Sequence, residues 1–118
     1  IVRDVDGAIA VSTALHRLGK IGSPDVTRDE RFQILMQKFE ERLPFCGSRQ
    51  IANSMHGLGK LLFRRFGPWV NMLCVQTQRR IHEFEPQHVS NTLWACARMQ
   101  LQDKLLLRTL LGRAVEDL

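Results

Sequence analysis

The sequence predicts an all-α fold: an α-solenoid of three helix-turn-helix repeats, each of about 38–40 residues. Three observations carry this expectation. The stretch from Ile51 to Leu61 (Ile-Ala-Asn-Ser-Met-His-Gly-Leu-Gly-Lys-Leu) returns with the same grammar from Val89 to Met99, with Asn91 standing 38 positions after Asn53. A shorter copy, Leu15 to Ile21, comes earlier, with Lys20 standing 40 positions before Lys60. Apolar residues between the Gly, Pro and Ser breaks fall at helical spacing, and no segment reads as a strand.

Asp4 and Asp6 are candidate caps for a first helix reaching about Leu18, ended by the backbone freedom of Gly19 and Gly22. Ser23-Pro24-Asp25 reads as a turn, and Thr27 with Glu30 as a capping box. The second helix carries Phe32, Leu35, Met36, Phe39 and Leu43, and Pro44 stops it. Ser48 is the expected cap of the third helix, whose apolar stripe is Ile51, Met55, Leu58 and Leu62. Leu61 to Phe66 either continue that helix or bend away. Gly67-Pro68 breaks the chain, and Pro68 opens a fourth helix with Trp69, Met72, Leu73 and Val75, reaching Ile81 or Phe84. Pro86 opens the fifth, with Val89, Leu93 and Cys96 inward. After a link from Gln100 to Asp103, a sixth runs from about Lys104 to the end, with Leu106, Leu107, Leu110 and Leu111. The helices pair antiparallel into units at approximately 4–43, 44–84 and 85–118 of one domain spanning 1–118. A single hairpin cannot bury its own apolar face, and stacked neighbours can. The chain is expected to be a piece of a longer protein, since it opens on Ile and its last unit ends abruptly at Leu118.

Composition narrows the function. Hydrophobic residues make up 44%, which supports a packed core over disorder. Seventeen Lys and Arg against 12 Asp and Glu leave a net charge of +5, which favours an acidic partner, nucleic acid being the simplest, with a solvated surface or an acidic protein as the alternative. Cys46, Cys74 and Cys96 have neither zinc nor disulfide spacing and read as buried thiols. No apolar run reaches 18 residues, so no membrane span is expected. There is no phosphate-cradling glycine loop, carboxylate pair or nucleophile elbow; neither an enzyme, a cofactor nor a metal site is expected. Gly57 and Gly59 fall within a helix and read as close-packing positions.

At Asn91-Thr92-Leu93-Trp94-Ala95-Cys96-Ala97-Arg98-Met99, preceded by Pro86-Gln87, the chain resembles the octotricopeptide repeat and its relatives in RAP-domain proteins. In the second unit His56 stands in place of Trp, and Gly57 and Gly59 in place of Ala; in the first, Thr13 stands at the Asn position. No RAP domain is visible in these residues. The resemblance implies a right-handed α-solenoid that binds RNA in an organelle, mitochondrion before chloroplast. Such proteins act in transcript processing, stability and translation, and some are built into organellar ribosomes.

The residues themselves suggest how RNA would be held. A helix advances about 100° per residue, so Asn53, Lys60 and Arg64 point away from the stripe centred on Ile51, with Arg49 on the same side. The equivalent set is Gln87, Asn91 and Arg98 in the third unit, and Thr13, Arg17 and Lys20 in the first. Two ladders result: Thr13, Asn53, Asn91 and Lys20, Lys60, Arg98. A row of cations can follow a sugar-phosphate backbone, and a row of amides can address base edges. Single-stranded RNA fits, because its bases are open to reading. The candidate RNA-binding residues are therefore Arg17, Lys20, Arg49, Asn53, Lys60, Arg64, Gln87, Asn91 and Arg98. For Asn53 and Asn91 a bond to the next helix that sets its register is an equal alternative. Trp94 and its counterparts His56 and His16 read as packing positions beside small residues before they read as base-stacking platforms. Trp69 reads as core, and His82 and His88 as surface. The pairs Arg64-Arg65 and Arg79-Arg80 suit phosphate or a solvated face equally. The rival to RNA is a scaffold role, the same repeats gripping protein within a ribosome or other large organellar assembly.

Overall fold

The computed structural model describes residues 3–116 and 118. Among them are six packed helices and no strand: α1 (Asp4–Ile21), α2 (Glu30–Arg42), α3 (Ser48–Lys60), α4 (Pro68–Arg80), α5 (Pro86–Met99) and α6 (Lys104–Glu116). Short 3-10 turns at Pro24–Arg28, Leu43–Phe45 and Ile81–Glu83 sit in the connections. The expected course of α6 through Asp117 falls outside the described residues.

The odd-numbered helices pack side by side in the order α1, α3, α5, and the even-numbered ones in the order α2, α4, α6. Between the two rows runs one apolar core, in which Leu15, Phe39, Leu43, Ile51, Met55, Leu58, Leu73, Phe84, Met99, Leu106 and Leu110 are all fully buried. Each such side chain stabilises the fold by about 1.5–3 kcal/mol.

The odd row is held close by missing side chains. A Cβ on Gly19 would stand 2.7 Å from the Gly57 α-carbon, and one on Gly59 would stand 2.9 Å from that of Ala95. Counted from Thr13, Asn53 and Asn91, this is the same contact made twice: the sixth residue on in one helix meets the fourth residue on in the next. Gly19 is therefore not a terminator, as the sequence suggests. It lies inside α1 because the α1–α3 crossing needs it there.

Helices α3 and α5 also end alike. The Phe63 N–H donates to the Leu58 carbonyl at 3.1 Å, and the Leu101 N–H to the Cys96 carbonyl at 2.9 Å. Between each pair stands a left-handed residue, Leu62 (φ 54°) or Gln100 (φ 57°). This is the Schellman ending, made twice at positions 38 apart. It corrects two expectations. Leu62 does not extend the α3 stripe; the left-handed turn swings it outward to 37% exposure, and Leu61 is buried instead. Gly22, at the equivalent place after α1, is extended (φ −89°) and uses no glycine-specific freedom.

Several caps move as well. The capping residue of α2 is Asp29, whose carboxylate accepts from the Arg31 N–H at 2.8 Å. Thr27 instead donates its hydroxyl to the Pro24 carbonyl, closing the preceding 3-10 turn. Gly47, not Ser48, caps α3, and its N–H donates to Gln50 Oε1 at 2.9 Å. Val75 and Leu111 face solvent, at 42% and 59% exposure, because their stripes are narrower than apolar spacing alone implies. Trp69 is core at 5% exposure, and all three cysteines are buried and free. Among the described residues no helix is long and apolar enough to cross a membrane.

Candidate nucleic-acid interface

Each odd-numbered helix presents three residues at i, i+3 and i+7: Thr13, His16 and Lys20 on α1; Asn53, His56 and Lys60 on α3; Asn91, Trp94 and Arg98 on α5. That spacing lays all three along one stripe of a helix. The middle residues of the three stripes stand in file. The His16 and His56 rings lie 5.7 Å apart between centroids, and His56 and Trp94 lie 5.0 Å apart with a 34° tilt. The stripes therefore adjoin, giving a polar row, a ring row and a cation row on one face.

Electrostatics place the cations beside the rings. Partial burial lowers the pKa of His16 below the usual 6.5, and Lys20 lowers it further. For His56 burial is again the largest cause, followed by His16, Lys60 and Lys20. The Arg98 guanidinium sits over the Trp94 ring at 5.5 Å, within cation–π range. Lys20, Lys60 and Arg98 are all exposed.

The acidic residues of these three helices are Asp4 and Asp6, both in the first turn of α1. Residues 7–24, 42–82 and 86–102 contain no Asp or Glu. Among the described residues, the ion pairs involve α2, α4, α6 and the segments beside them, and one reaches back from Arg42 to Asp4 at the start of α1. Arg17, Lys20, Arg49, Lys60, Arg64 and Arg98 take part in none of them.

The other candidates are placed as follows. Arg49 and Gln87 are exposed in the first turns of α3 and α5, four residues before Asn53 and Asn91 on the same stripes. Arg64 lies in the coil after α3 and not on that helix, because α3 ends at Lys60. It nevertheless reaches the cation row, approaching the Arg98 carbonyl at 3.5 Å. Arg17 stands apart. It is equivalent to Gly57 and Ala95, the residues by which α3 and α5 touch the helix before them, and so lies on the free flank of α1. Thr13, Asn53 and Asn91 are half-buried and make no side-chain hydrogen bond among the described residues. The register-setting bond between helices is thus not the role of either Asn.

The sequence predicts a packed Trp94. Its ring edge does rest on Gly59, where a Cβ would come within 3.0 Å, yet 39% of the residue is exposed. Ala95 and Ala97 suggested close packing around it, but only Ala95 is buried. Arg65 is taken up by the fold: it donates to the Thr27 carbonyl and lies 5.1 Å over the Phe63 ring. Arg80 pairs with Glu83 at 2.9 Å, while Arg79 is exposed. His82 is exposed; His88 is half-buried and accepts the Glu85 N–H on Nδ1 at 3.1 Å, closing the start of α5. Among the described residues no three His, Cys, Asp or Glu converge as a metal site.

No family model, curated protein or solved structure matches this chain.

Proposed function

We propose that this chain is an RNA-binding module: an α-solenoid of three helical hairpins whose odd-numbered helices hold single-stranded or locally exposed RNA. The repeat reading is supported by the small-residue contact and the Schellman ending, each made twice at matching positions. One observation carries the RNA reading: Lys20, Lys60 and Arg98 form a row on one face, from three helices that hold no acid along the residues forming it. Phosphates one repeat apart can each meet a cation there. Three units address few bases, so the module binds with little sequence preference, which suits contact with ribosomal RNA. The resemblance to octotricopeptide repeats supports a role in an organelle, the mitochondrion first, in gene expression or within a ribosome.

Binding to a random single-stranded RNA, measured against salt, tests the reading. Three phosphate contacts give a slope of roughly −2 in log affinity against log salt. A flat dependence, or no binding at low salt, rejects it.

A second reading, a protein scaffold in a large organellar assembly, is favoured by the apolar side of the last hairpin. A groove of about 410 Å³ lined by Pro86, Val89, Ser90, Leu93, Ala114 and Leu118 opens there, and Leu105, Leu111 and Val115 of α6 are more than half exposed.

A further inference from the structure

The ring row between the polar and cation rows is unlike ordinary surface exposure. Single exposed apolar residues are common. Three rings from three helices, in file at 5.7 and 5.0 Å, form a continuous strip. The two tryptophans differ sharply. Trp69 is 5% exposed and donates its Nε1–H to the Arg65 carbonyl at 3.1 Å. Trp94 is 39% exposed, and its Nε1–H has no partner among the described residues.

We propose that His16, His56 and Trp94 form a stacking track for unpaired bases of single-stranded RNA, with one base clasped between Trp94 and Arg98. The inference rests on the RNA reading above and adds what the bases do. Stacking suits a surface with little sequence preference, because every base has a π-face. A base inserted between the indole and the guanidinium needs two contacts of about 3.5 Å, or about 7 Å in all. The gap is 5.5 Å, and Arg98, exposed on a flexible stem, opens the remainder by swinging outward. Its charge then lies beside the phosphate of the clasped nucleotide. Asn53 and Asn91, whose amides make no hydrogen bond among the described residues, lie one turn before the rings, and in the track they address the edges of stacked bases.

The test compares a single-stranded RNA of roughly a dozen nucleotides with an abasic ribose-phosphate chain of the same length and charge. The track predicts that the RNA binds at least about tenfold more tightly than the abasic chain and quenches tryptophan fluorescence. Trp94→Leu should lower RNA affinity about tenfold, leave abasic affinity unchanged and remove the quenching, and Trp94→Phe should restore most of the affinity. Equal binding of RNA and abasic chain, with Trp94→Leu without effect, overturns the track and leaves the phosphate reading standing. Binding of neither chain at low salt overturns both.

Discussion

Gly57 on α3 and Leu15 on α1 meet backbone to backbone: a Cβ added to Gly57 would stand 2.1 Å from the Leu15 carbonyl oxygen. No side-chain rotation relieves that contact, so Gly57→Ala must push the two helices apart. The expected cost is about 1–3 kcal/mol or more, beyond the gain of about 0.5–1 kcal/mol from replacing a helical glycine. Gly112, in the interior of α6, has nothing within 4 Å of an added Cβ. Gly112→Ala should therefore stabilise by about 0.5–1 kcal/mol. Urea unfolding of the two variants should give opposite signs; two shifts in the same direction contradict the close approach.

Gln100 holds a left-handed conformation at the end of α5, with its side chain exposed. That backbone costs a non-glycine residue about 1–2 kcal/mol. Gln100→Gly should raise the unfolding midpoint by the equivalent of up to about 1 kcal/mol, the larger entropy of the unfolded glycine offsetting part of the gain. A lower midpoint would show that the turn is not left-handed.

His16 and His56 make stability depend on pH. Both have folded pKa values below 6.5, so below that pH the unfolded chain binds more protons than the folded one. Their effect is absent above about pH 6.5, and stability falls as pH drops from there towards the lowered folded values. The charged groups facing the rings are Lys20, Lys60 and, beside Trp94, Arg98. Unfolding midpoints of the wild type should therefore fall between about pH 7 and about pH 5. The double variant His16→Gln, His56→Gln should show a shallower fall; an identical pH profile would clear the two imidazoles of any part in it.

Burial pushes the thiols of Cys46 and Cys96 up to about 12. At about pH 8 roughly one in ten thousand is then thiolate. Both should resist alkylation in the native protein and react promptly in denaturant, as mass spectrometry of the labelled positions would show. Fast native labelling of Cys46 would mean that the junction after α2 is open.

Much of the fold was legible because the chain writes its helices twice. The apolar residues at Ile51, Met55 and Leu58, the breaks at Pro44 and Gly67-Pro68, and the close-packing role of Gly57 follow from spacing and side-chain size. Helix ends were harder. Leu62 continues the apolar period in sequence, and only the hydrogen bond from Phe63 to Leu58 shows that the helix has already closed. The cation row was legible from spacing, since Lys20, Lys60 and Arg98 follow one another at 40 and 38 positions. The standing of Trp94 was not, because small neighbours suggest burial and which flank of α5 remains open is a tertiary property. Arg17 stands apart from the other candidates for a similar reason: helix angle alone does not say which side of α1 lacks a neighbour.

The most direct test of the account replaces Lys20, Lys60 and Arg98 together by Glu and measures affinity for single-stranded RNA at low salt, with helix content and unfolding midpoint as controls. The predicted result is loss of RNA binding by a chain that stays folded. Undiminished affinity in the folded triple variant would contradict the assignment of this face to RNA.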